Sequence, residues 1–234
     1  MNALILAAGL GSRLRPLTLE CPKAMVKYQG KEIISYQIDA LFDSGINNVI
    51  VVSGYKSKQL ENFLIEKYKN KIVLINNSKY NTTNSAYSFM KAYDQIQGES
   101  YIHLNCDILF SKKLLDKIIN SDHKNILATR GDIEFSNAME NVITLDNRII
   151  NMAHRYTSQV SCKGFGLAKI SRNALKENII HYRKLIPEVQ KKENYYGLIR
   201  MSLGNIDYYI ENSSKAELAE INTLEDLAQC SFNQ

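Results

Sequence analysis

The sequence predicts an α/β protein with a doubly wound, mostly parallel sheet, and three observations carry that prediction. Short apolar runs, each closed by glycine or a polar loop, alternate with amphipathic stretches as far as Arg130. The chain has 234 residues and 45% apolar character, which is ample for a large core. Beyond Arg130 the rhythm shifts to hairpin-like segments, a small β excursion expected to form one side of a pocket.

In chain order, Asn2 to Ala7 reads as a strand buried on both faces, followed by a glycine loop. Glu32 to Asp43 has helical spacing and stops at Ser44-Gly45, and Asn48 to Ser53 is a second buried strand. Lys58 to Tyr68 predicts a helix, Lys71 to Ile75 a strand, Ser85 to Ile96 a helix and Ser100 to Leu104 a strand. Lys112 to Ile119 and Asn125 to Thr129 repeat the helix-strand pair. Asn141 to Leu145 and Arg148 to Met152 flank Asp146-Asn147 like a hairpin, and Gly164 to Ile170 predicts another strand. Ser171 is expected to cap a helix running to about His181. Ile186 to Ser202 is expected to be one helix, Ile206 to Ile210 a strand, and Thr223 the cap of a last helix. No linker, low-complexity stretch or fixed-period repeat divides the chain, so residues 1–234 are expected to form one domain.

The formal charge of +5 comes from 29 basic and 24 acidic residues scattered along the chain, which suits small anionic substrates rather than nucleic acid. Cys21, Cys106, Cys162 and Cys230 form no CxxC pair, so neither zinc nor a disulfide framework is indicated. The apolar run Ala3 to Ala8 is too short for a signal-peptide core, and no stretch has the roughly eighteen apolar residues a membrane span needs. A soluble cytoplasmic protein is expected.

The motif that carries chemistry is Ala7-Ala8-Gly9-Leu10-Gly11-Ser12-Arg13-Leu14. Leu14 stands where a dinucleotide fingerprint has its third glycine, and no GK[ST] makes the loop a Walker motif. What remains is a backbone able to aim amide N–H groups at phosphate oxygens, with Arg13 and Arg15 beside it, or else an ordinary strand-to-helix turn with solvated arginines. Cys21-Pro22-Lys23-Ala24 tips the balance, because proline presets the backbone before a lysine close enough to converge with Arg13 on one polyphosphate. His103, His123, His154 and His181 stand in no metal or triad spacing.

The pattern LAAGLGSRLRPLT…PKAM resembles the signature of the sugar-phosphate and phosphocholine nucleotidylyltransferases, in particular the small bacterial LicC-like choline-phosphate cytidylyltransferases and their phosphonate and phosphoglutamine counterparts. The resemblance continues through Asn84-Ser85-Ala86-Tyr87-Ser88, Asn105-Cys106-Asp107 and Glu220-Ile221-Asn222-Thr223. It implies a Rossmann-like nucleotidyltransferase fold and a CTP-dependent enzyme. Leu6, Ala7, Ala8, Gly9, Gly11, Ser12, Arg13, Lys23, Asn84, Ser88 and Asp107 would then bind the nucleotide, with Lys23 and Arg13 catalytic. Mg²⁺ would be held by Asp107, Glu220 and Asn222, the last replacing the second acid of the family's Glu-x-Asp pattern.

The implied reaction is attack of a phosphate or phosphonate oxygen on the α-phosphorus of CTP, giving a CDP-linked product and pyrophosphate, in the service of surface polysaccharide decoration. The expected partners are CTP and a small zwitterionic acceptor such as L-glutamine phosphate, aminoethylphosphonate or phosphocholine. Neither nucleic acid nor membrane is expected, and a homodimer is left open. With no tryptophan for a quaternary-ammonium cage, the charged region Arg130, Asp132, Glu140, His154, Arg155 and Lys163 suits a non-quaternary zwitterion better. The alternatives are a sugar-1-phosphate nucleotidylyltransferase and a catalytically silent nucleotide-binding protein.

Overall fold

The computed structural model describes residues 1–97 and 100–233. Strand β1 (Asn2–Ala7) is buried along its whole length and leads through a 3-10 turn (Ser12–Leu14) and the one-turn helix α1 (Leu17–Glu20) to a second 3-10 turn at Lys23–Met25. A short antiparallel ribbon follows, β2 (Lys27–Tyr28) and β3 (Lys31–Glu32). Next come α2 (Ile33–Asp43), β4 (Asn48–Ser53), α3 (Ser57–Tyr68), β5 (Ile72–Asn76), α4 (Ser85–Ala92) and β6 (Ser100–Asn105). The chain continues with β7 (Ile108–Phe110), α5 (Lys112–Asn120), β8 (Ile126–Arg130), the hairpin β9 (Asn141–Leu145) and β10 (Arg148–Ala153), and the long strand β11 (Cys162–Ser171). It ends with α6 (Arg172–Lys184), α7 (Pro187–Lys192), α8 (Tyr195–Ser202), β12 (Tyr209–Asn212), β13 (Leu218–Glu220) and α9 (Leu224–Gln229).

Nine strands form one sheet in the order β5-β4-β1-β6-β11-β8-β12-β10-β9, and only β10 and β11 run against the rest. The doubly wound character follows from β1, whose side chains alternate between two cores. Ala3, Ile5 and Ala7 face a layer built on α2, α3 and α5, whereas Leu4 and Leu6 face Phe89 of α4, Leu175 of α6 and Leu198 of α8. Each fully buried leucine or isoleucine contributes about 1.5–3 kcal/mol, so these layers account for most of the drive to fold.

A third, smaller core lies under the glycine loop, where Leu14 packs with Tyr28, Tyr36, Ile221 and Phe232. It brings the two ends of the chain together. Leu14 anchors the loop, Ile221 anchors the segment that carries Asn222, and the Tyr28 hydroxyl donates to the Phe232 carbonyl at 3.0 Å.

Three local expectations are corrected. The segment Ile186 to Ser202 is two helices, because Glu193 is extended and Asn194 caps α8 by accepting from the Gly197 amide at 2.7 Å. The helix from Ser85 ends as α-helix at Ala92 and continues as a 3-10 turn through Gln95. The strand expected at Ile206 to Ile210 begins at Tyr209, where pairing with Ile126 of β8 starts. Pairing of β7 with β13, unforeseen in the sequence, sets Glu220 opposite Ile108. The caps read from sequence hold: Ser171 accepts from Ala174 N, and Thr223 and Asp226 form a reciprocal capping box.

Candidate active site

The forward strands of the sheet end at one edge, and the loops leaving them line a cleft of about 400 Å³. Gly11 has φ +62°, a left-handed conformation that glycine adopts without strain. A Cβ there would also lie 3.0 Å from both Lys23 Cβ and Thr18 Cγ2, so a side chain at this position would push the lysine away from the loop. The Thr18 hydroxyl donates to the Gly11 carbonyl at 2.9 Å and Leu14 N donates to the same oxygen at 3.0 Å. The Gly11 carbonyl is thus turned inward, and among the described residues the amide N–H groups from Gly9 to Arg13 have no partner.

Parallel pairing of β1 with β6 sets Leu6 opposite Asn105 and delivers Asp107 to the same edge. Lys23 Nζ donates to Asp107 Oδ2 at 2.6 Å and to Asn222 Oδ1 at 2.7 Å, and Arg13 Nη2 donates to the same Asn222 oxygen at 2.8 Å. Asn222 is held in place by its own amide, which donates to Asp226 Oδ2 at 2.8 Å, so the capping box of α9 also fixes the site. Burial opposes the charge on Lys23, but Asp107 outweighs it, helped by Cys106 and Glu220, and the ammonium is held above the usual lysine range. The Cys106 thiol is pushed up to about 12 by burial and then by Asp107, which leaves it inert.

Of the residues expected to bind nucleotide, only Ala7 stays off the cleft, because its side chain points into the α2–α3 core. Arg15 is exposed and also lies outside the lining. Asn84 lines the cleft with its amide already engaged: Oδ1 caps α4 by accepting from Ser85 N, and Nδ2 donates to the Lys192 carbonyl at 3.1 Å. One further lone pair and one further N–H remain for a ligand. Ser88 Oγ accepts from Asn77 Nδ2 at 3.0 Å.

Glu220 sits beside the cleft in a second cavity of about 180 Å³, which shares Arg13, Ser85, Asn105 and Asn222 with it. Lys163, at the start of the reversed strand β11, pairs with Glu220. Deeper in this cavity Glu140, only 7% exposed, takes both oxygens to Arg200 Nη1 at 2.6 and 2.8 Å, and His154 Nε2 lies 3.1 Å from Oε2. Arg130 is turned elsewhere, to Asp132 and the Leu218 carbonyl. Sequence reasoning gave no role to Asn105, Ser85, Asn194 and Arg200. Of these, Asn105 and Ser85 carried a signal, since both stand inside segments that carry the resemblance.

The Nucleotidyl transferase family model matches residues 2–181. A CTP:phosphoglutamine cytidylyltransferase of Campylobacter jejuni is 34% identical, covering 94% of this chain and 92% of that protein. A choline-phosphate cytidylyltransferase of Haemophilus influenzae is 28% identical over 97% of this chain and 94% of that one. In fold, the chain superposes on the Streptococcus pneumoniae CTP:phosphocholine cytidylyltransferase LicC with a TM-score of 0.80 at 23% identity, covering 98% and 97% of the two chains. With a loop, a lysine and an aspartate converging at the edge of such a sheet, and with a family model matching most of its length, the chain belongs to the Nucleotidyl transferase family.

Proposed function

We propose that the protein is a CTP-dependent cytidylyltransferase that transfers CMP to a small phosphorylated or phosphonate acceptor, releasing pyrophosphate. The observation that carries this reading is the convergence of Arg13, Lys23 and Asp107 beside a loop whose amides are unpaired among the described residues, with a second charged cavity opening from the same point. The kinship over nearly the whole chain with an enzyme named for CTP and phosphoglutamine supports both halves of it. We take residues 1–234 as one catalytic unit, because the central sheet draws strands from β1 to β12.

In this reading the Gly9 to Arg13 amides and the Arg13 guanidinium receive the β- and γ-phosphates, and Lys23 spans the α-phosphate and the incoming acceptor phosphate. Two polyanions have to meet. Unit charges about 4 Å apart repel by roughly 4 kcal/mol at an effective dielectric near 20, so Lys23 and Arg13 must be free to turn from Asn222 to the phosphates. The acceptor oxygen is already anionic and needs no general base, in keeping with the absence of any histidine from the lining of the larger cleft among the described residues. Holding both substrates in line supplies the remaining acceleration.

Asp107 fits a divalent cation, since its Oδ1 is buried and without a hydrogen-bond partner among the described residues. Asn222 Oδ1 has both lone pairs filled by Lys23 and Arg13, and Glu220 is paired with Lys163, so either could join only after releasing a cation. When bound there, Mg²⁺ would neutralise phosphate charge and polarise the α-phosphoryl group.

The test is a pyrophosphate-release screen that crosses the four common nucleoside triphosphates with phosphocholine, phosphoethanolamine, aminoethylphosphonate, phosphoglutamine and sugar 1-phosphates. Release with CTP and a phospho-amino acceptor is expected. Turnover confined to sugar 1-phosphates would replace the proposal with NDP-sugar synthesis. Nucleotide binding without release would point to a silent binding protein.

A further inference from the structure

We propose, building on the cytidylyltransferase reading above, that the cavity around Glu140 receives the far end of the acceptor, selects one bearing N–H donors, a primary ammonium or an amide, and turns away a quaternary ammonium. The cavity continues directly from the catalytic cations through Arg13 and Asn222, so an acceptor phosphate beside Lys23 projects its other end towards Glu140.

A quaternary ammonium is recognised through open aromatic faces. The aromatic rings that line this cavity cannot offer them. Tyr195 is 2% exposed, with one face stacked on His103 at 3.6 Å between centroids and its hydroxyl bonded to that of Tyr101. Tyr196 is 8% exposed and donates its hydroxyl to the Phe165 carbonyl. The Phe165 ring nearby is already covered by Lys163 Nζ, 4.5 Å from its centroid. Tyr156, the exposed tyrosine of the excursion, stacks on Phe135 and is absent from the lining.

What the cavity does offer is acceptors. A carboxylate accepts about four hydrogen bonds. Arg200 fills two of those on Glu140 and His154 faces a third, so one acceptor position is left on a buried, negatively charged group. Asn194 stands beside them, its Nδ2 3.4 Å from His154 Nε2 and one lone pair of its Oδ1 taken by the Gly197 amide. An N–H donor entering here completes Glu140. A trimethylated nitrogen strips water from the same carboxylate without replacing the hydrogen bond, which a desolvated site penalises heavily.

The test compares N–H acceptors with their N-methylated counterparts at saturating CTP, reading kcat/KM by pyrophosphate release. One arm is phosphoethanolamine and its mono-, di- and trimethyl derivatives, and the other is phosphoglutamine and its derivative methylated at the nitrogen that does not carry the phosphoryl group. In whichever arm turns over, full N-methylation is expected to lower kcat/KM at least tenfold, and Glu140→Gln to shrink that ratio towards one. The wild-type series stands alone should Glu140→Gln fail to fold. Methylated acceptors turned over as well as their parents would overturn the selectivity while leaving cytidylyl transfer intact. No release in either arm, nor with aminoethylphosphonate, with CTP binding retained by calorimetry, would overturn both.

Discussion

Lys23 Nζ lies 2.6 Å from Asp107 Oδ2, although 84 residues separate the two, and both side chains are largely buried at 11% and 16% exposure. A charge held this way is already placed and partly stripped of water before substrate arrives. Lys23→Ala is therefore expected to lower kcat by a hundredfold or more, the roughly 3–4 kcal/mol that one such contact to a transition state is worth. The far-UV circular dichroism spectrum should keep its α/β shape. Turnover near that of the wild type would remove Lys23 from the chemistry.

Asn222 gathers two cations on a neutral oxygen, which holds them less firmly than a carboxylate would. Asn222→Asp is expected to weaken CTP binding several-fold in EDTA, measured by calorimetry, because Lys23 and Arg13 would then leave an anion to reach the phosphates. Added Mg²⁺ should narrow the gap, since a new carboxylate beside Asp107 Oδ1 favours the metal. Unchanged metal-free affinity would mean that the amide does not restrain the two cations.

His103 is fully buried in β6, has no hydrogen-bond partner at either ring nitrogen among the described residues, and is pushed down to about 3 by burial. Its folded-state value lies below the ordinary value of 6.5, so the unfolded chain takes up a proton first as pH falls. The contribution of the neutral ring is complete above about pH 6.5 and declines at up to about 1.4 kcal/mol per pH unit towards pH 3. Urea titrations between pH 7.5 and 4.5 should show this slope, and His103→Phe, which cannot titrate, should flatten it. An identical slope in the variant would assign the acid sensitivity to other groups.

Gly166 lies against Asn105, and a Cβ there would come within 2.4 Å of Asn105 Cβ. Gly166→Ala has to displace the Asn105 side chain, which lines both cavities, or shift β11. The expected cost is about 1–3 kcal/mol of stability with a rise in KM for both substrates, read by thermal melting and steady-state kinetics. A variant with wild-type melting and KM would show that the strand yields without consequence.

The alternation of strands and helices was legible because burial on two faces writes apolar runs into β1 and β4, and into β6 one broken only by His103. The loop side of the larger cleft was legible for a related reason. Gly9, Gly11, Arg13 and Lys23 lie within one short stretch, where spacing reflects geometry directly. The other cavity was only half legible. Glu140 and Lys163 stood out as charges, but their partners Arg200 and Glu220 are 60 and 57 residues away in sequence, and only strand pairing and helix packing bring them together. The break before α8 was hidden because Ile186 to Ser202 keeps a helical apolar pattern on both sides of Asn194, and the cap that interrupts it depends on Ser85 Oγ receiving the Tyr195 amide across the fold.

The return of β9 onto β11 at Cys162 and Lys163 bears on where the sheet has a free edge. One margin of the great sheet is folded over by that pairing, which leaves β5 as the open rim where another backbone could add on. That rim is only five residues long, is preceded by Lys69 and Lys71, and presents Val73 at 38% exposure. Brevity and nearby positive charge are the guards that sheets commonly place at such rims, so the guarded rim and the shaping of the second cavity arise at opposite ends of one sheet.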